Sequence, residues 1–440
     1  MNSKSFLSAF AMIAAMVVLA DPNNPQITLG AVTQDPATHL VKATYMLDEP
    51  AVITFDVKTN GVSIGGANLT HAYGDVHRVV EAGSHTLYWQ ANNAWPGHRP
   101  QSATFEVVAW ATNSPPDYMV INLMGNFKGT RTYYIAPEQL PGEGGVTNKM
   151  YKTDFLVMRR IPAKDVIFPM GLRWYEGWHV YHRVKLTNDF YMAIYELTRG
   201  QYANVRGSQS SISWFGTKDG AENPDYTDAQ REWYESNPAL PVPQTRYTTF
   251  RGTTKLWQTD GHDIDSGCEL QTFRTVLKIP TLDLPTDAEW EFACRAGTAG
   301  DRYDGTGSGT SPDAIAWVNI NTPKQAGGTR PMPQEVGLLK PNQFGLYDIL
   351  GNVPEVCLDY ANQGSSYAIA NQALDGEPAI APTGASTDVN GNTGSSAIHV
   401  HRGGGVLNDQ YSAVAWVRSY NQYAASYNHP VFGFRLVCLP

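Results

Sequence analysis

Apolar and polar residues alternate in short runs over the first part of the chain. Leu40–Tyr45, Val52–Val57, Arg78–Val80, His85–Trp89 and Ala103–Val108 each place side chains on two opposite faces, the period of a strand with one buried side. Asn60-Gly61, Gly65-Gly66 and Glu81-Ala82-Gly83 separate these runs, and such residues tolerate the backbone of tight turns. The alternation stops near residue 111. Ser114-Pro115-Pro116 then reads as a break between domains. Beyond it the chain is aromatic and irregular, with two helical signals. Leu284–Cys294 has Thr286 as a cap and Glu289 three residues on, and places Trp290 and Cys294 on one face. Thr198–Val205 fits a shorter helix capped by Thr198.

These elements predict an α+β protein. Residues 25–111 read as a β-sandwich of immunoglobulin-like type, residues 112–152 as a linker and connecting segment, and residues 153–440 as a second domain of low secondary-structure content. The Gly- and Ser-rich stretches Gly305–Ser311 and Thr383–Ser396 read as surface loops. Residues 1–20 read as a secretory signal: Lys4, then an apolar run from Phe6 to Leu19, then a small-residue site ending at Ala20. That run is short for a bilayer span, so no membrane span is expected after cleavage. The expectation is an exported protein, periplasmic, cell-surface or extracellular. Export would put the four cysteines, Cys268, Cys294, Cys357 and Cys438, where disulfides persist. Four cysteines permit three full pairings, and sequence does not choose among them.

Composition removes some functions. Net charge is −9 and charged residues make up only 17% of the 440 positions. No block of Lys or Arg stands out, so nucleic acid is not expected as a partner.

Several blocks carry a more specific signal: Arg160–Ala163 with Met170-Gly171, Phe190–Thr198, Leu284–Thr298, Asn342–Val353, Arg402–Gly404 and Gly433–Arg435. In this order they resemble the formylglycine-generating enzyme, or sulfatase-modifying factor, family. Leu284–Thr298 is similar to its LPTEAEWEYACRGGT helix and Asn342–Val353 to its NxxGLYDMxGNVWEW segment. The resemblance implies a fold related to C-type lectins. It also implies copper held by two cysteine thiolates shortly after Arg-Gly-Gly, in a site that oxidises a sulfatase cysteine. Here that stretch is Gly405–Ala413 and contains no Cys. Gly405 replaces the usual Ser, and Pro354 and Val356 replace the two Trp of the Asn-Val-Trp-Glu-Trp pattern. Soft thiolates suit copper and Asn or Gly cannot replace them, so copper is not expected.

The resemblance further implies structural calcium, with Asp348 and Glu355 giving carboxylates and Gly351 and Val353 backbone carbonyls. Hard oxygen donors on a tight loop suit that ion. Asn408, Asp409, Tyr411, Tyr420, Tyr423 and Tyr427 form a Tyr- and Asn-rich region that reads as a ligand-binding face for protein or glycan. The functional expectation is a calcium-braced binding or structural module. The alternatives are an oxidase converting a sulfatase cysteine to formylglycine, or another metal-dependent enzyme in the same pocket, using His399 and His401.

Overall fold

The computed structural model describes residues 25–98, 100, 102–172, 181–208, 226–243, 247–252, 264–361, 378–380, 392, 397–419 and 432–440. The signal segment 1–20 lies outside them. Among the described residues, no helix is long and apolar enough to cross a membrane. The chain divides into two compact units. One holds residues 1–120 and 131–148 with Pro440; the other holds 121–130 and 149–439.

The first unit is built from antiparallel strands. Ile27–Gln34, Leu40–Leu47, Gly83–Gln90 and Ala72–Gly74 lie side by side in that order in one sheet. Ala51–Thr59 is the centre of a second sheet, paired along its length with Thr104–Ala111 and more briefly with Val62–Ser63 and Val79–Val80. Alternation decides which side chains enter the core: Val41, Ala43, Tyr45 and Leu47 are buried along one strand while the residues between them are less so. Phe55 stacks on Phe105 at 5.3 Å, with Trp89 packed against both. Burying each such side chain is worth roughly 1.5–3 kcal/mol. Asn60 and Gly61 both take positive φ, at 51° and 79°, the turn that best joins two twisted strands. The sequence pattern did not mark Ile27–Gln34, whose pairing is interrupted by a register shift between Leu29 and Val32.

His77 adds a pH-sensitive contact to this core. Its ring stacks on Tyr134 at 4.6 Å, and Nδ1 donates to the Tyr133 carbonyl at 2.9 Å. Burial pushes its pKa down to about 4, against roughly 6.5 in an unfolded chain. Because the folded value is depressed, its contribution is present above pH 6.5 and is lost as pH falls through 4. The full loss is about 3 kcal/mol. Urea midpoints should therefore fall more steeply between pH 7 and 4.5 for the wild type than for His77→Asn, whose short amide tolerates the φ of 59° found there. Parallel curves would contradict this.

Residues 112–152, read as a linker and connecting segment, carry the strands Tyr118–Asn122 and Arg131–Tyr134 and several short 3-10 turns.

In the second unit Phe155–Ile161 pairs with Phe190–Ala193, which pairs with Val437–Cys438. Ile167–Met170, His182–Lys185 and Ala379–Ile380 form a small mixed sheet. Glu355–Tyr360 pairs with His399–Arg402. The two expected helices are Arg199–Arg206 and Asp287–Arg295. Thr286 accepts from the Glu289 N–H at 3.1 Å, and the Glu289 carboxylate accepts from the Thr286 N–H at 2.9 Å. Two further helices, Asp228–Ser236 and Glu269–Leu277, were not expected; the Thr227/Gln230 capping box of the first was a readable signal.

The disulfide expectation is corrected. Among the described residues no disulfide joins the four cysteines; all are buried, and they serve separate elements. Cys268 precedes Glu269–Leu277, Cys294 lies on Asp287–Arg295, Cys357 on Glu355–Tyr360, and Cys438 on the terminal strand. Cys438 meets a sulfur, but it is that of Met158, at 3.9 Å.

Candidate functional site

The Asn342–Val353 segment folds over the strand Glu355–Tyr360 and gathers charged side chains that contain almost no water-exposed surface. Glu355 is 1% exposed. Its Oε1 accepts from Arg435 Nε at 2.8 Å and Nη2 at 2.6 Å; its Oε2 accepts from Arg435 Nε at 3.0 Å and Trp290 Nε1 at 2.7 Å. Arg435 also donates to the carbonyls of Ala193 and Tyr347. Three distant blocks, the Trp290 helix, the Glu355 strand and the terminal Gly-Phe-Arg, are thereby clamped together. Glu196, which sequence reasoning did not single out, accepts from Asn352 Nδ2 at 2.7 Å and the Val353 N–H at 3.0 Å. Its carboxyl is held well above the usual range, first by burial and then by the charges of Asp348 and Glu355.

Asp348 takes positive φ of 51° and accepts from the Gly337 N–H through Oδ2 at 2.6 Å. Among the described residues its Oδ1 is buried without a hydrogen-bond partner. Burial raises its pKa to about 6. Lys152, buried and pushed below the ordinary lysine range by that burial, is the other cation whose charge reaches Asp348.

The four expected calcium donors therefore separate. Asp348 fits a cation: one of its oxygens is left over in a dry site. Glu355 does not fit, because a guanidinium and an indole already engage both its oxygens. Among the described residues no three His, Cys, Asp or Glu side chains converge as a metal site, so a cation here would rest on Asp348 and on carbonyls such as those of Gly351 and Val353.

A second charged cluster underlies the Arg402-Gly-Gly404 turn. Arg402 is fully buried, lies over the Trp290 ring at 5.5 Å, and donates to Asp287 and, at 2.9 Å, to Glu291. Arg418 donates to Asp287 at 2.6 Å and Arg295 to Glu291 at 2.8 Å. Burial alone would raise Glu291; Arg295, Arg402 and Arg418 outweigh it and hold its carboxyl below the usual range. Gly403 has φ of 85°, and a Cβ there would stand 2.8 Å from the Ile349 carbonyl.

Gly405 is different. Its φ is not positive, yet a Cβ would lie 2.7 Å from both the Asn352 carbonyl oxygen and Pro354 Cδ. The Asn352 carbonyl and the proline ring together fill the space that a side chain at 405 would need. Gly405→Ser should cost about 1–3 kcal/mol by overpacking, read as a lowered Tm; an unchanged Tm would show that the segment yields freely.

Past Gly405 the chain turns outward. Asn408 and Asp409 are exposed and Tyr411 is 56% exposed. The loop is pinned from beneath by Arg302, itself fully buried, which donates to the carbonyls of Ala413 at 2.9 Å and Gln410 at 2.8 Å. The Asn319 N–H donates to the Asn408 carbonyl, and Asp409 Oδ1 accepts from the Ser412 N–H. Asn408, Asp409 and Tyr411 are exposed along one loop; Tyr420, Tyr423 and Tyr427 lie outside the described residues. His399 and His401 are buried, the first stacked on Tyr247 at 3.6 Å and the second on Phe432 at 4.1 Å.

The model of the sulfatase-modifying factor enzyme 1-like domain matches residues 163–439. The chain belongs to this family. The sulfatase-modifying factor scaffold therefore accounts for the order of blocks from Ala163 to the terminal strand. One curated relative, the chaperone protein LppX of Paenibacillus barcinonensis, is 28% identical over 187 residues, 39% of this chain. The chain spans 63% of that relative's length. Among solved structures, Treponema denticola variable protein 1 matches at 20% identity over 65% of this chain and 96% of its own, with a TM-score of 0.43. PvdO from Pseudomonas aeruginosa matches at 20% identity over 65% and 95%, with a TM-score of 0.45.

Proposed function

We propose that this sulfatase-modifying factor family member is an exported binding module, without the copper oxidase chemistry, that presents the Leu407–Tyr411 face to a protein or glycan. The observation that carries this reading is the loop after Arg402-Gly-Gly404. Where oxidase chemistry calls for two thiolates it offers Asn408, Asp409 and an exposed Tyr411, held in place by the buried Arg302. A pre-organised surface with a large aromatic and small amides loses little entropy on binding. The name of the Paenibacillus relative, a chaperone protein, favours a protein over a glycan as the occupant. The N-terminal unit, with its two sheets over one aromatic core, is read as an immunoglobulin-like sandwich that spaces or docks the module.

Calcium at Asp348 completes the proposal, supported by the unpartnered Oδ1 and by the neighbouring carboxylates. Bound there, it would give the Asp348 Oδ1 the partner it lacks among the described residues. Metal analysis of the purified protein should find calcium and no copper. Removing calcium with EDTA should lower the Tm by on the order of 5–10 °C, and Asp348→Asn should abolish that difference. An unchanged Tm after depletion would end the calcium reading. Tyr411→Ala should leave the Tm in place yet weaken retention on protein and glycan arrays; arrays that hold both proteins equally would end the binding-face reading.

A further inference from the structure

The N-terminal unit contains a cleft that the reading above does not use. It opens where the strand Gly83–Gln90 runs into the short helix Ala91–Ala94, and Gln34, His39, Trp89, Asn92, Trp95 and His98 lie around it. Its volume is about 100 Å³, several times the roughly 30 Å³ share of one water in the liquid.

Four features describe its occupant. Trp95 and His98 stack at 4.4 Å with planes only 12° apart, which fixes a flat aromatic wall at the mouth. Trp89 is 2% exposed, and among the described residues its indole N–H is buried without a partner; buried indoles ordinarily find an acceptor. The cleft is rich in neutral hydrogen-bonding groups. Gln34 Nε2 donates to the His39 carbonyl at 3.3 Å, leaving its amide oxygen to accept, and Asn92 is an exposed amide. His98 Nδ1 bonds the Pro96 carbonyl at 3.0 Å, which leaves Nε2 as an acceptor. The polar side chains among the described residues lining it are amides, imidazoles and indoles.

We propose that this cleft binds a neutral saccharide ring. A sugar ring presents an apolar C–H face suited to the Trp95 wall and a rim of hydroxyls. One hydroxyl oxygen accepts from the Trp89 N–H, and others exchange hydrogen bonds with Gln34, Asn92 and His98. A phenyl ring would match the wall but give the amides and the indole N–H nothing to bond. The site lies wholly within the first unit and does not rest on the reading of the Tyr411 face.

The test titrates the intact protein with the methyl glycosides of glucose, galactose, mannose and N-acetylglucosamine, read by tryptophan fluorescence and ligand-observed NMR. At least one should saturate. Trp95→Ala and Trp89→Phe should each weaken it about tenfold or more, and Tyr411→Ala should leave it unchanged. Trp89→Phe keeps one aromatic ring in the core and removes the five-membered ring with its N–H; if it lowers the Tm, the exposed Asn92→Ala provides a second comparison that spares the core. The proposal is overturned if none of the four binds up to about 50 mM, if Trp95→Ala binds as the wild type does, or if a tyrosine-containing peptide binds in the cleft and the glycosides do not.

Discussion

Arg435→Ala should be the most damaging single substitution in the second unit, lowering stability by about 3–5 kcal/mol. Arg435 and Glu355 are 0% and 1% exposed. Truncating the guanidinium leaves the Glu355 carboxylate dry and without a counter-charge, beside Glu196 and Asp348, whose carboxyls burial and mutual repulsion already push upward. It also frees the carbonyls of Ala193 and Tyr347. A drop in Tm on the order of 10 °C is expected in a unit of this size. Pairing it with Glu355→Gln should recover part of the loss, because the double variant no longer buries an orphan charge. If Arg435→Ala melts within about 2 °C of wild type, the clamp does not hold the fold.

Arg402→Met is the second. Asp287 and Glu291 lie one turn apart on the helix Asp287–Arg295, both fully buried, and Arg402 bridges them. Methionine preserves much of the packing over Trp290 but not the charge. Arg418 still faces Asp287 and Arg295 still faces Glu291, so the loss should sit at the lower end, about 3 kcal/mol. Asp359, which burial and the Asp287 charge raise to about 8, makes the region sensitive to further negative charge. Equilibrium urea unfolding of the variant checks the figure; an unchanged midpoint would mean that the remaining arginines suffice.

What could be read from the chain was what is local. Thr286 and Glu289 cap a helix because they stand three residues apart, and the alternation of Val41, Ala43, Tyr45 and Leu47 names a buried face directly. The Arg435–Glu355 clamp spans 80 positions and Glu196 meets Asn352 across 156; no periodicity connects such residues. Glu355 shows the consequence. The family resemblance implies an oxygen donor for a cation there, but the Arg435 guanidinium and the Trp290 indole, brought to it from distant parts of the chain, engage both oxygens. Gly405 is the converse case. Its replacement was visible in the sequence, but what crowds it, the Asn352 carbonyl and the Pro354 ring, needed the fold.

We propose that a sulfatase-modifying factor scaffold persists here without its oxidase chemistry. The direct test incubates the full chain, supplied with copper and a thiol reductant, with a peptide carrying a sulfatase cysteine motif, and follows the cysteine by mass spectrometry. The cysteine should stay unmodified while a competent family oxidase converts it under the same conditions. Conversion to formylglycine by this chain would show that the oxidase chemistry is retained.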